Sequence, residues 1–523
     1  MKKYYLTTPL YYVNAAPHIG HAYTTVAADV LARFLRANNR PAHLLTGTDE
    51  HGAKIEEAAR EAGLPVAEFA DRNSAAFREL WQHLDIHFDD FIRTTEPRHE
   101  SRVQECFQKL LASGDAYKGR YRGFYCVSDE TYWTETDAPP DDKGRRLCPN
   151  AECRKPLQEV EEESYFFRLS KYQEPLLKHY RENPGFLRPA HRANEILRFV
   201  ASGLQDTAIS RTKVKWGIPV PGDAEHTIYV WFDALLNYVT APQSQEGVFA
   251  EVWPADVHIV GKEIYRFHSV TWPAMLLALG LPPPKSVFAH GWWTVEGEKM
   301  SKSRGNFVDP REITGEFGVD AFRYFLLREM PFGNDGNFSL DALLTRYNAE
   351  LANDLGNLVS RVEQMVDSYL GGAMPGRDKE DEPSLAKEFA AKGPDIDARM
   401  EALDFCGALG LIWGCIGRLN TYVNEKTPWK LVKTDKAATG KVLFDLVRCL
   451  RIVAGWIEPF MPQTAAKMHA QLGVRQFPMP LSPEQVLAGD ASGTGKILKA
   501  PPLFPRKDKA MPVVLKARLF PKK

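Results

Sequence analysis

The chain has 523 residues, too many for a single hydrophobic core, so at about 100–200 residues per domain it is expected to hold about three domains. With 44% hydrophobic and 25% charged residues it falls among ordinary globular proteins and outside the fibrous, disordered and disulfide-stapled classes. A formal net charge of −1 excludes a global field drawing the molecule onto nucleic acid or anionic lipid, so any polyanion must be held by local patches.

Along the chain, Lys3–Val13 alternates bulky and β-branched residues and runs into a polar, Pro-containing loop, after which Thr24–Asn38 has the apolar spacing of a helix. His43–Thr46 reads as a second buried strand and Lys54–Glu61 as the start of a helix, which together suggest a parallel α/β unit with a right-handed crossover. The pattern breaks near Gly114, and Tyr121–Arg168, rich in turn residues, acids and paired cysteines, reads as an inserted module. Strand and helix return over His226–Tyr238, then a strand at Val257–Ile259 and a helix over Ile264–Leu279. From Asp320 onward strand signals nearly vanish; Leu343–Tyr369 and Ile396–Tyr422 are expected helices, joined by a polar, Gly- and Pro-rich loop over Gly371–Pro394. The tail Pro505–Lys523 sets Arg506, Lys507, Lys509, Lys516, Arg518, Lys522 and Lys523 against a single acid, Asp508, and is read either as a frayed, solvated end or as a functional contact.

Seven cysteines with no even ladder of spacings suit a reducing compartment, and Cys106, Cys406, Cys415 and Cys449 lie in helix-like apolar runs where packing is their expected role. Lys2 and Lys3 precede an apolar stretch that Thr7, Thr8, Asn14 and His18 interrupt too soon for a signal peptide, and no run approaches the roughly 18 apolar residues of a membrane span. A cytoplasmic protein without membrane contact is the expectation.

Two motifs carry chemistry. His18-Ile19-Gly20-His21 follows the first strand and opens a helix, where unpaired N–H groups and a partial positive charge suit phosphate. Gly20 removes the side chain that would hold a nucleotide off the backbone, and two imidazoles can donate to a transferring phosphoryl oxygen. Lys299-Met300-Ser301-Lys302-Ser303, followed by Arg304 and Gly305, offers mobile cations that can fold over a triphosphate and neutralise departing pyrophosphate. Either motif alone also fits an ordinary surface loop; found together, in this order on an α/β framework, they are not well explained by coincidence.

The pair resembles the signatures of class I aminoacyl-tRNA synthetases, and Pro9–Asn14, Gly47–Gly52, Tyr229–Ala234 and Gly261–Ile264 are similar to methionyl-tRNA synthetase sequence, the likeness running from Tyr4 to about Pro428. That resemblance implies a split Rossmann-like parallel sheet interrupted by a connective module with a knuckle, followed by an α-helical bundle. The corresponding boundaries are 1–115 and 226–330 for the catalytic halves, 116–225 for the insertion, 331–355 for a stem-contact junction and 356–523 for an anticodon-binding domain with its basic tail.

Carried over residue by residue, the resemblance puts Leu10, Tyr12, Trp231, Ala234, Tyr238 and His290 around a methionine side chain, with Asp49 on its ammonium group. A polarizable thioether among rings gains about 0.3–1.5 kcal/mol per contact. ATP falls to His18, Gly20, His21, Lys262, Lys299, Ser301 and Lys302, with His18, His21, Lys299 and Lys302 as the catalytic groups and Mg²⁺ accompanying the nucleotide. Glu263 stands where the family has Asp, which puts a direct ligand role there in doubt. Cys126, Asp129, Cys148 and Cys153 form a C-x2-D, C-x4-C variant of a zinc knuckle, which admits zinc or a metal-free remnant.

Asn420 matches the position whose amide reads an anticodon base, although no Trp follows Trp456 to stack on one. The implied function is methionine–tRNA ligation in translation initiation and elongation: methionyl-adenylate formation from ATP, then transfer to the 3' end of tRNA(Met) with release of AMP. No further tRNA-binding domain follows the helical domain, which makes a monomer the expectation. The alternatives are a nucleotidyltransferase or a synthetase for another apolar amino acid, and a catalytically silent tRNA-binding paralogue. About a hundred residues between Gly114 and Trp216 leave no room for a large editing insertion, and intact His18, His21, Lys299 and Lys302 argue against silence.

Overall fold

The computed structural model describes residues 2–127, 131–133, 135, 137–150, 153–295, 297–299, 307–373, 384–473, 496–497 and 499–519. The chain folds as two compact units, one formed by Met1–Pro17, His43–Glu79 and Phe88–Ala289, the other by His18–Ala42, Leu80–His87 and His290–Lys523.

The first unit is built on a six-stranded sheet ordered Asp90–Arg93, Ala42–Asp49, Tyr4–Tyr12, Val257–Gly261, Val287–His290, Leu187–Arg188. Leu6 stands opposite Val257 and Thr46 opposite Phe91, both in parallel register. Parallel strands covered on both faces read as unbroken apolar runs, and every residue of Ala42–Asp49 and of Val257–Gly261 is buried. Gly47 is dictated by this crowding, since a Cβ there would lie 2.0 Å from the Ile92 carbonyl oxygen. The expected inserted module is an antiparallel sheet, Thr131–Trp133, Ala116–Cys126, Gln158–Phe167, Thr207–Ala208, with Ala116 opposite Phe167 and Tyr125 opposite Gln158. The helix Val230–Gln243 is buried almost all round.

In the second unit the helix Ile19–Ala37 is followed, after residue 290, by a small three-stranded sheet and a series of helices: Pro310–Phe317, Val319–Arg328, Leu340–Arg346, Asn357–Leu370, Phe405–Lys426, Lys436–Ile457 and Pro462–Gln471. Arg323 knots these together. Its guanidinium is wholly buried, paired with Asp29 at 2.6 Å, and donates to the carbonyls of Leu84, Pro459 and Phe460.

Ile264–Leu279 is helical as expected, through a 3₁₀ turn Lys262–Ile264, a π-helical turn Phe267–Thr271 and the helix Trp272–Ala278. Leu343–Tyr369 is helical too, with a π-helical stretch, Tyr347–Gly356. Two expectations need correction. Ile396–Tyr422 is broken where Leu403 takes φ +62° and Asp404 caps a new helix through the Gly407 N–H. Within the supposed loop Gly371–Pro394 lies the helix Ser384–Ala390, which buries Leu385, Ala386 and Phe389 on one face. As for the basic tail, Met511–Leu519 is a helix whose Lys516 pairs with Asp341 and Arg518 with Glu312 and Glu316. No helix among the described residues is long and apolar enough to cross a membrane.

Candidate active site

His18 is the extended N-cap of the helix Ile19–Ala37, and the two histidines of the motif cap it reciprocally. The Gly20 N–H donates to His18 Nδ1 at 3.1 Å, and the His18 N–H donates to His21 Nδ1 at 3.2 Å. A ring nitrogen that accepts from an amide carries no proton, so both neutral imidazoles hold their proton on Nε2. Burial lowers the His18 pKa to about 4, and burial together with the His18 ring pushes His21 well down. The ring centroids lie 3.9 Å apart with planes tilted by 30°, and Phe307 is edge-on to His18 at 4.9 Å. Two neutral Nε2–H donors at a helix N-terminus suit the charge that develops on a phosphoryl group.

Of the other predicted nucleotide residues, Lys299 ends the short strand Glu298–Lys299, paired with Trp293–Val295. Ser301 and Lys302 lie outside the described residues. Lys262 opens the 3₁₀ turn after the strand Val257–Gly261 in the first unit. Beside it, the Glu263 carboxylate lies where a Cβ on Gly261 would meet it at 2.4 Å, so Gly261 leaves it room.

The predicted methionine residues Leu10, Tyr12, Asp49, Trp231, Ala234 and Tyr238 all belong to the first unit. Tyr12 ends its strand and donates its hydroxyl to the His51 carbonyl at 2.8 Å. Asp49 is buried, and its own carbonyl accepts from the Val13 N–H. Trp231 stacks flat on Phe267, with ring centroids 4.0 Å apart and planes at 9°. The Tyr238 hydroxyl lies 2.7 Å from His268 Nε2, while His268 Nδ1 donates to the Ile264 carbonyl, so this hydroxyl is the donor. Burial holds His268 near pKa 4, neutral and able to accept. Tyr238 also lies against His258, which is fixed by Thr7 and the Trp272 indole.

Phe267 and His268, both on the π-helical turn, thus hold two of the predicted aromatic walls. Neither was singled out in the sequence, where a histidine in an apolar run reads as core; the aromatic density of Tyr265–Trp272 after Gly261–Ile264 was the available signal. His290 belongs to the second unit, where Nδ1 donates to the Gly291 carbonyl, Nε2 pairs with Thr24 at 2.7 Å, and Tyr23 and Phe332 flank the ring.

Cys126, Cys148 and Cys153 converge, their sulfurs within 4.8 Å of one another and Cys126 Sγ 3.5 Å from Cys153 Sγ. Zn–S bonds of about 2.3 Å at tetrahedral angles set sulfurs about 3.8 Å apart, so three thiolates fit three corners of a zinc site. Asp129, the expected fourth ligand, lies outside the described residues. In the second unit, the Asn420 amide donates to the carbonyls of Asp354 and Ile416. Its Oδ1 carries no hydrogen bond among the described residues and is left to accept.

Comparison with known proteins agrees along nearly the whole length. The family described as "tRNA synthetases class I (M)" matches residues 4–363, and "Anticodon binding domain of methionyl tRNA ligase" matches residues 373–507. The methionine–tRNA ligase of Caldanaerobacter subterraneus is 48% identical over 485 residues, covering 91% of this chain and 74% of its own. That of Streptomyces coelicolor is 45% identical over 524 residues, covering 97% of each. Among solved structures, Mycobacterium tuberculosis methionyl-tRNA synthetase in complex with methionyl-adenylate superposes with TM-score 0.89 at 42% identity, covering 97% of this chain and 100% of that one. Its apo form gives 0.82 at 38% identity, covering 97% and 99%.

Proposed function

The chain belongs to the class I methionyl-tRNA synthetases, ATP-dependent ligases that join methionine to tRNA, and from that premise we propose how its residues divide the work. Methionine and ATP form methionyl-adenylate and pyrophosphate; the methionyl group then passes to the 3' end of tRNA and AMP leaves. The observation that carries the assignment is the reciprocal cap at His18 and His21, which leaves two neutral imidazoles each with its proton on Nε2.

As the methionine carboxylate attacks the α-phosphorus, these Nε2–H groups donate to the oxygens on which charge accumulates. Gly20 lets the nucleotide approach the helix terminus, and Lys262, Ser301, Lys299 and Lys302 bind ATP. The two motif lysines share with the ATP-borne Mg²⁺ the charge of departing pyrophosphate. No covalent intermediate with the protein is needed, because the substrate carboxylate is itself the nucleophile.

Asp49 receives the methionine ammonium group, and Leu10, Tyr12, Trp231, Ala234 and Tyr238 receive the thioether chain. The contacts of Phe267 and His268 with Trp231 and Tyr238 support adding both to this set. His290 rests on the resemblance alone. Asn420 reads an anticodon base of tRNA(Met) through Oδ1. The three-sulfur geometry supports zinc held by Cys126, Cys148, Cys153 and Asp129. One equivalent of zinc in the purified protein, lost in Cys148→Ser, is the expected result, and a metal-free wild type would remove it. The protein acts as a cytoplasmic monomer.

The test is ATP–pyrophosphate exchange scanned across the twenty amino acids. Exchange with methionine alone is expected; exchange with another amino acid overturns the pocket, and none at all favours a silent paralogue. Lys302→Ala should slow exchange by about 10²-fold or more while the methionine KM stays within about threefold. Near-normal turnover would take this lysine out of the mechanism.

A further inference from the structure

Asp233 is wholly buried in the first turn of the helix Val230–Gln243, between Trp231 and Ala234 in sequence, and both its oxygens are taken. His51 Nδ1 donates to Oδ2 at 2.7 Å and His99 Nε2 donates to Oδ1 at 2.7 Å. The three residues come from three elements: the loop after Ala42–Asp49, the first turn of the helix Pro97–Ala112, and the helix Val230–Gln243.

His99 grips that last helix twice, since its Nδ1 lies 2.7 Å from Thr240 Oγ1, seven residues along the same face. His51 is gripped in turn: its carbonyl accepts the Tyr12 hydroxyl, its ring meets the Trp216 indole edge-on at 5.6 Å, and its Nε2 is 3.9 Å from Glu100. Burial works against ionisation of Asp233, but the His51 and His99 imidazoles outweigh it and hold the carboxyl below the usual range.

A buried carboxylate here gives no packing that a leucine would not. What it adds is directional: two fixed bonds define where the loop of Asp49 stands relative to the helix turn of Trp231 and Ala234. We propose that Asp233, clamped by His51 and His99, is a positioning residue for methionine, setting the distance between the ammonium anchor at Asp49 and the thioether wall at Trp231 and Ala234. This rests on the assignment of those residues to methionine made above.

A ligand held at both ends loses affinity when either end shifts, whereas ATP, held elsewhere, does not. The experiment is ATP–pyrophosphate exchange by the full chain, titrating methionine at saturating ATP and ATP at saturating methionine. The proteins compared are wild type, Asp233→Asn, His51→Ala, His51→Asn and Asp49→Asn.

Asp233→Asn and His51→Ala should raise the methionine KM about tenfold or more, with kcat and the ATP KM within about threefold of wild type. In His51→Asn an amide N–H can stand where Nδ1–H stands, so the methionine KM should return to within about threefold of wild type. An unchanged methionine KM in Asp233→Asn overturns the proposal, as does an equal loss in kcat and both KM values. If Asp233→Asn does not fold, the histidine pair decides, because equal defects in His51→Ala and His51→Asn would show that the hydrogen bond to Asp233 is not what matters. An unchanged methionine KM in Asp49→Asn would instead bring down the pocket assignment on which the proposal rests.

Discussion

Asp29 in one unit and Asp233 in the other are both fully buried carboxylates, each bonded on both sides, yet their partners belong to different chemistries. Asp29 is held by the Arg323 guanidinium at 2.6 Å, Arg33 at 2.8 Å and the His87 N–H at 2.9 Å. Asp233 is held by two imidazoles. Burial opposes ionisation at both, and at both the cationic or donating neighbours outweigh it and keep the carboxyl below its ordinary range. Guanidinium does not lose its proton under any condition the protein meets, so the Asp29 knot is permanent. Imidazole does, so the knot beside the proposed methionine residues is tied with adjustable ends.

The sharpest way to break this comparison is Asp29→Ala, which leaves Arg323 buried with carbonyls but no counter-charge. Chemical denaturation should show a loss of about 3–5 kcal/mol, the same at pH 8 and pH 9, above the pKa of about 6 to which the neighbouring Glu458 is raised. A loss that varies with pH would mean that a titratable group, not the arginines, sustains the knot.

Glu363 supplies the case with no cation beside it among the described residues. It is 2% exposed, receives a backbone hydrogen bond from Ala500, and burial pushes its pKa up to about 7 from 4.5. A raised carboxyl pKa means that the stability it contributes is whole below about 4.5 and is lost as pH rises through about 7. Glu363→Gln should therefore remove that part of the pH slope and leave the protein about 1–3 kcal/mol more stable than wild type at pH 8, read from denaturation midpoints.

A smaller effect is expected from His51. Burial lowers its pKa, but the charge and hydrogen bond of Asp233 outweigh that and raise it above 6.5. Its pair with Asp233 is thus at full strength below pH 6.5 and weakens as pH climbs through the raised value. His51→Asn should flatten stability against pH in that window, and an unaltered slope would assign it to another group. Least of all should be Arg518→Ala, which removes surface pairs with Glu312 and Glu316 and should cost under about 1 kcal/mol, measured as a melting shift.

Much of the fold could be read in advance where one residue pattern decided one element. The alternating run at Lys3–Val13 and the apolar one at His43–Thr46 sit in buried strands because a parallel sheet leaves no polar face to confuse the period. The helix whose apolar spacing starts at Thr24 is opened by the His18–His21 motif as expected and begins at Ile19, its cap made by histidine rather than by Ser, Thr, Asp or Asn. Ser384–Ala390 was hidden inside a stretch whose average composition is that of a loop. At the site, the His18–His21 motif, proposed above to face phosphate, could be placed at the start of its helix because its parts are contiguous. The Asp233 clamp was not, although His51 and Asp233 both sit within recognised motifs: their bond spans 182 residues and that to His99 spans 134, and no local period encodes such a meeting.

The sheet order also has a consequence in time. The strand Tyr4–Tyr12 lies beside Val257–Gly261, so that Thr7 and the His258 to which it bonds are 251 residues apart. At synthesis rates of about 5–20 residues per second, the first strand is made roughly 12 to 50 seconds before this neighbour exists. Until then it presents an unpaired edge of apolar side chains, the kind of surface that recruits the wrong partner. Leu10 and Tyr12 thus stand in a strand whose neighbour is made 251 residues later, and the pace of the ribosome sets the earliest moment at which the two can pair.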